Sequence, residues 1–197
     1  LKMHANLTNR ARTLISLILL ASTIGGKVSG QPLPTMVTHN SETATLSNGA
    51  VSLTIRKSNG TISSLKYRDR EVMGRGGGYW VMLGAVPGQP TIQLAGSPSD
   101  FSVTKDPAKD GGTIAEVAVR FPYRGQAGTI PLDIELRYAL HPGDPAIYAS
   151  ATFDHAPEYP PFDVEVGVLT LKLNSKVFDF LSVDSARQKL MPTPAEW

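Results

Sequence analysis

From Thr45 onward the chain alternates apolar and polar residues, and no stretch sustains a 3.6-residue period. Successive side chains of a strand point to opposite faces, so period two writes one buried face and one wet face. A helix needs apolar residues three and four apart. The body of the chain is therefore predicted to be sheet. Val51, Leu53 and Ile55 alternate with Ser52, Thr54 and Arg56. Ser58-Asn59-Gly60 follows, and Asn and Gly accept the positive φ of a hairpin turn. Ile62 and Leu65 continue on the return strand with a slip of phase, the mark of a bulge. The clearest strand is predicted over residues 130–140. Ile130, Leu132, Ile134, Leu136, Tyr138 and Leu140 share one face, and Asp133, Glu135 and Arg137 share the other. His141-Pro142-Gly143-Asp144-Pro145 ends it as a turn. Ile147, Ala149, Ala151 and Phe153 form the next apolar face. Val164, Val166 and Val168 then pass to Leu169, Leu171 and Leu173, which predicts a bulge in the middle of a long strand.

Closely spaced strands with Gly and Pro turns predict an all-β antiparallel sandwich or barrel. The 197 residues suffice for one domain that buries about 70% of its unfolded surface, and they are few for two. The stretch 87–99 reads as a loop or a weakly paired edge, and Pro157, Pro160 and Pro161 mark another loop. The chain has no cysteine, which removes disulfide scaffolds, Cys zinc sites, Fe–S clusters and thiol nucleophiles together.

Residues 1–30 read as a secretory signal peptide. Arg10 and Arg12 form a basic start, and residues 14–24 an apolar run too short to span a bilayer. Val28-Ser29-Gly30 is a plausible cleavage sequence. The first thirty residues carry four of the 19 basic residues and no acid, so the remainder, with 17 acids, is net −2. That balance removes the electrostatic footprint of a nucleic-acid binder. The mature chain, residues 31–197, is expected to be exported, extracellular or periplasmic, and off the membrane.

The chemistry-bearing residues are sparse. Gly74-Arg75-Gly76-Gly77-Gly78 lacks the Lys-Ser/Thr of a phosphate loop and precedes a strand. It reads as a Gly-rich turn that brings the backbone close to a neighbour or a ligand, with Tyr79, Trp80, Val81, Met82 and Leu83 as a buried strand after it. His4, His39, His141 and His155 have no metal-ligand spacing, and no G-x-S-x-G occurs. His155 is a candidate base, although a surface-turn histidine is the commoner case. Asp133 with Glu135, and Asp163 with Glu165, are carboxylate pairs of the kind glycoside hydrolysis uses. Alternating charge on a wet sheet face is the commoner cause. Read alone, these residues assign no catalytic group, no metal and no cofactor.

Four segments, in order, resemble the rhamnogalacturonan lyases of polysaccharide lyase family 4. The first is Thr45-Leu46-Ser47-Asn48-Gly49-Ala50-Val51-Ser52-Leu53-Thr54-Ile55, and the second Gly60-Thr61-Ile62-Ser63-Ser64-Leu65-Lys66-Tyr67. Gly76-Gly77-Gly78-Tyr79-Trp80 is the third. The fourth runs from Leu171-Lys172-Leu173-Asn174 through Phe178-Asp179-Phe180-Leu181-Ser182-Val183-Asp184 to Ala186-Arg187-Gln188-Lys189-Leu190-Met191-Pro192-Thr193-Pro194. The resemblance implies an all-β super-sandwich similar to galactose mutarotase. It implies β-elimination at the rhamnose–galacturonate bond of rhamnogalacturonan I, a pectic polysaccharide. The family's catalytic lysine and histidine fall beyond Trp197, so neither is carried over, and the chain is expected to be an inactive N-terminal part. The family's substrate arginine aligns with Val168. Arg187, for a uronate carboxylate, and Tyr79, for a sugar face, are the candidate substrate contacts, although a structural Arg–carboxylate bridge and a core aromatic are the commoner cases. The other reading is a non-catalytic carbohydrate-binding sandwich on the same scaffold; a mutarotase-type epimerase is a weaker third.

Overall fold

The computed structural model describes residues 5–7, 11–19, 33–94, 99–111 and 113–192. The strands are β1 (Ala5–Leu7), β2 (Ala11–Leu19), β3 (Met36–His39), β4 (Thr43–Ser47), β5 (Val51–Arg56), β6 (Ile62–Tyr67), β7 (Arg70–Glu71), β8 (Met73–Ala85), β9 (Ile92–Gln93) and β10 (Asp100–Lys105). One helical turn, α1 (Pro107–Asp110), precedes β11 (Ala115–Phe121), β12 (Asp133–Leu140), β13 (Ile147–His155), β14 (Phe162–Leu173), β15 (Phe180–Ser182) and β16 (Gln188–Leu190). The larger sheet has the order β1-β14-β8-β6-β5-β4-β3, with β7 beside β6 and β9 beside β8. The second sheet has the order β10-β11-β12-β13-β2, and β15 and β16 form a separate hairpin. The pairings are antiparallel, so the predicted all-β antiparallel sandwich is the fold.

One core lies between the two sheets. Leu46, Leu53 and Ile55 from the larger sheet and Val117, Val119, Leu136 and Leu140 from the smaller are fully buried in it. Each such side chain contributes roughly 2–3 kcal/mol by leaving water. The alternation in β12 and β13 places the predicted faces as read, with Ile134, Leu136, Tyr138, Ile147, Ala149, Ala151 and Phe153 inward.

Two strand readings need correction. The strand predicted over 130–140 begins at Asp133, because Pro131 has no N–H for a ladder and the Leu132 N–H turns back to the Ile130 carbonyl (2.9 Å). Ile130 and Leu132 are buried all the same, from the loop. In β14 the phase changes earlier than predicted. Against β8 the register shifts between Val164 and Val166, and again between Leu171 and Leu173. Phe162 and Val164 face the core before the first shift, and Leu169 and Leu171 pack on it afterwards. The bulge predicted on the β5–β6 return strand is present, with Thr54 opposite Ser64 and Ile55 opposite Ile62.

Two polar side chains tie the sheets together. The buried Asn48, in the β4–β5 turn, donates its amide to the carbonyls of His141 (2.8 Å) and Asp144 (2.7 Å) in the β12–β13 turn. Its Oδ1 accepts the N–H groups of Ala50 (3.1 Å) and Val51 (2.8 Å). All its hydrogen-bonding capacity along the chain direction is thus spent on backbone. Tyr138 of β12, fully buried, donates its hydroxyl to the Gly60 carbonyl (2.7 Å) across the sandwich. Gly60 has φ +66°, and a Cβ there would lie 2.7 Å from Leu136 Cδ1, so glycine is required where this turn meets β12.

Of the leader predicted over residues 1–30, β1 and β2 fall among the described residues; Val28-Ser29-Gly30 lies outside them. β2 runs along the whole of β13, from Ala11 opposite His155 to Leu19 opposite Ile147. A short apolar run suits both a leader core and an edge strand, and its pattern does not separate the two.

Candidate functional site

The Gly-rich segment sits inside β8 rather than in a turn. Gly77 has φ +65°, and a Cβ on it would lie 2.2 Å from the Ile62 carbonyl oxygen. The close backbone approach expected from the sequence is real, and its neighbour is β6. Immediately beyond, Trp80 and Met82 are buried, while Tyr79, Val81 and Leu83 are half-buried. The strand is therefore buried on one face only, which corrects the expectation of a fully buried run. On the opposite strand Val166 pairs with Leu83, Val168 with Val81 and Thr170 with Tyr79. These six side chains share the face of the larger sheet turned away from the core. Tyr79 and Val168, singled out separately in the sequence, are diagonal neighbours there, within reach of one extended ligand.

Arg187 lies elsewhere, on the β15–β16 hairpin. Its guanidinium is 73% exposed and pairs with Asp184, Nε to Oδ2 at 2.7 Å. The hydrogen bonds from Arg187 hold the Asp184 carboxyl below its ordinary value. The carboxylate engages one edge of the guanidinium fork and leaves other N–H groups facing water. The same hairpin exposes Phe178, Phe180, Leu181, Val183, Leu190 and Met191.

The remaining candidates have structural partners. Glu135 is bonded by Arg120, directly across on β11, and by Arg137 on its own strand. Arg137 also reaches Glu116 (2.7 Å), which accepts the Thr104 hydroxyl (2.6 Å). Burial pushes the Glu135 carboxyl up, but the bonds from Arg137 and Arg120 outweigh it and leave the group low. This ladder lines an open cleft of about 630 Å³ with Asp100, Asp133 and Asp154. Four carboxylates against two arginines leave the lining net acidic, which disfavours an anionic polymer. Asp163 and Glu165 are exposed on β14, and Glu165 accepts from Thr91 (3.2 Å).

His155 is not a surface histidine. It is buried at the end of β13, with Nε2 2.9 Å from the Pro160 carbonyl, and it anchors the proline loop. Lys57 and His39 do meet (3.2 Å), but the Lys57 ammonium also donates to the Asn40 carbonyl and lies 4.3 Å over the Phe101 ring. Those contacts give the Lys57 side chain structural partners. Among the described residues no group of three or more His, Asp or Glu could hold a metal ion.

The outer face of β8 and β14 thus brings Tyr79 beside Val168, while Arg187 stands apart on the β15–β16 hairpin. A family model described as the rhamnogalacturonate lyase family matches residues 22–197. The chain belongs to that family. The membership makes it a lyase of the pectin-degrading kind, with a pectic polysaccharide as substrate type. No curated protein matches the chain.

The carboxylates also set an acid limit on the fold. In Glu71 burial raises the pKa, but hydrogen bonds from Ser64 and from the Leu65 and Met73 N–H groups lower it further, with help from Lys66. Glu71 and Glu135 both sit below the ordinary 4.5 in the fold and return to it on unfolding. Their contribution is complete above pH 4.5 and is lost as pH falls through the folded values. On the alkaline side burial, then the bond to Asp133, pushes Tyr159 up to about 12, so its contribution fades as pH rises above the ordinary 10.0. The expected result is a thermal midpoint that is flat at neutral pH and falls on both flanks. Glu135→Gln is expected to flatten the acid flank, measured by melting curves across pH; an unchanged flank would remove Glu135 from the account.

Proposed function

We propose that the chain is the N-terminal part of the catalytic domain of a secreted lyase that cleaves the rhamnose–galacturonate backbone of rhamnogalacturonan I by β-elimination. The family match over residues 22–197 carries this reading. In that reaction a base removes the proton at C5, alpha to the uronate carboxylate. The electron pair forms the C4=C5 double bond, and the C4–oxygen bond breaks, releasing the rhamnosyl oxygen to take a proton. The C5 proton is weakly acidic until a cation or hydrogen-bond donor neutralises the carboxylate.

On the outer face of β8 and β14, Tyr79 supplies an aromatic surface and Thr170 a hydroxyl. No cation stands at Val168. Arg187 keeps donors available and belongs to the segment with the most specific family resemblance. The apolar side chains exposed on its hairpin favour a further packing partner, which supports the reading of a part whose base comes from outside these 197 residues. The basic start and apolar run over residues 1–30 support export. Val168 favours a second reading, a carbohydrate-binding sandwich that keeps the scaffold without the chemistry.

The face itself is tested by binding of rhamnogalacturonan oligosaccharides to the chain. Tyr79→Ala is expected to weaken binding about tenfold by removing the stacking surface. Val168→Arg, on a half-exposed position, is expected to tighten it about tenfold by adding a fork for the uronate. Affinities unchanged in both variants, with both proteins folded, would take the substrate off this face.

A further inference from the structure

A second cleft lies where the 122–132 loop of the smaller sheet meets β9 at the edge of the larger one, with a volume of about 230 Å³. Its floor is apolar and buried, formed by Phe121, Leu132 and Ile134. Tyr123 stands in its wall, and Arg124, Gln93 and Gln126 are exposed around its mouth. We infer that this cleft is a binding subsite for a single uronate-type sugar unit, separate from the β8–β14 face; the pectic class of that sugar rests on the function proposed above.

The wall is fixed before any ligand arrives. Asp133 accepts the Tyr123 N–H on one oxygen (2.8 Å) and the Tyr159 hydroxyl on the other (3.0 Å). Tyr159 in turn packs edge-on against the Tyr123 ring, with centroids 4.8 Å apart. Asp133 of β12 therefore pins the Tyr123 backbone directly and its ring through Tyr159, and a held ring loses little entropy on stacking against the apolar face of a sugar. Both Asp133 oxygens are engaged, so its charge is not presented to a ligand as an open acceptor.

The mouth selects by charge. Arg124 has a side chain 61% exposed, and its ion pair with Asp100 spans 4.0 Å between two exposed groups. Such a pair is weak, so a ligand carboxylate can replace Asp100 on a fork built for bidentate binding. The side-chain amides of Gln93 and Gln126 suit hydroxyl groups. The volume fits one ring and excludes a polymer threading through.

The test is amide-shift mapping by NMR on isotope-labelled chain, titrated with galacturonate, with galactose, and with rhamnogalacturonan oligosaccharide. The expected result is galacturonate-induced shifts over residues 121–130, about tenfold weaker binding of galactose, and at least a tenfold loss with Arg124→Ala. Arg124 is an exposed loop side chain, so that variant keeps the fold, and its unperturbed spectrum away from the loop checks this. Equal binding of galactose, or no effect of Arg124→Ala, overturns the uronate assignment. Shifts confined to β8 and β14 overturn the cleft and leave the proposed function standing. No shifts from any of the three sugars overturn both.

Discussion

Asn48→Ala is expected to lower the thermal midpoint by about 10 °C, corresponding to a loss of about 3–4 kcal/mol. The side chain is buried between two turns and satisfies four backbone groups, two N–H donors in its own turn and two carbonyls in the β12–β13 turn. Alanine leaves those groups without partners in a place where each orphan costs about 1–3 kcal/mol, moderated by whatever water reaches the opened site. Because the carbonyls belong to the opposite sheet, the loss also loosens the closure of the sandwich at this end. Asn48→Asp separates the two halves of the effect. It keeps an acceptor for Ala50 and Val51 but sets an oxygen against the carbonyls of His141 and Asp144. It should therefore be at least as damaging as alanine. Melting curves of both variants check this, and a loss under about 1 kcal/mol for alanine would mean that the latch carries little of the fold.

The same residue shows what a sequence reading reaches. Period-two alternation is local, so Val51, Leu53 and Ile55, or Ile134, Leu136 and Tyr138, declare their burial without reference to the rest of the chain. The hairpin turn at Asn59 and Gly60 is legible for the same reason. Asn48 is not, because its amide partners lie 93 and 96 residues away. Nothing in the neighbourhood of Ser47-Asn48-Gly49 distinguishes an ordinary turn asparagine from one that locks two sheets. His155 is an instructive miss. Asp154 and a proline loop flank it and suggest the surface, yet it shares the parity of Ala151 and Phe153. Extending the alternation by one step places it inside. The displaced bulge in β14 is harder to foresee, since Val164, Val166 and Val168 are equally apolar and only the pairing with β8 decides which of them turns outward.

The candidate face was legible in part. Tyr79 and Val168 stand out in the sequence for unrelated reasons, one as an aromatic beside a Gly-rich segment and one as the residue at a family arginine position. Antiparallel pairing of β8 with β14 is what brings them together. Arg187 was equally visible as a residue, but its position on a hairpin paired to Asp184 was not. The Tyr123–Tyr159–Asp133 unit is not legible in the sequence. Its members come from a loop, a proline-rich segment and a strand start, and they carry no spacing that marks them as one group.

The second large effect concerns chemistry. If the base comes from outside these 197 residues, as proposed, the chain should bind the polysaccharide without turnover. Positioned acid–base groups contribute about 10²–10⁴-fold to such a step, so their absence alone removes that much. The most direct measurement is release of C4=C5 unsaturated uronate from rhamnogalacturonan I, followed by ultraviolet absorbance. It compares the 197-residue chain with a longer chain of the same family that carries the lysine and histidine segments. The account predicts no measurable release by the 197-residue chain and steady release by the longer one. Steady release by the 197-residue chain itself would contradict it.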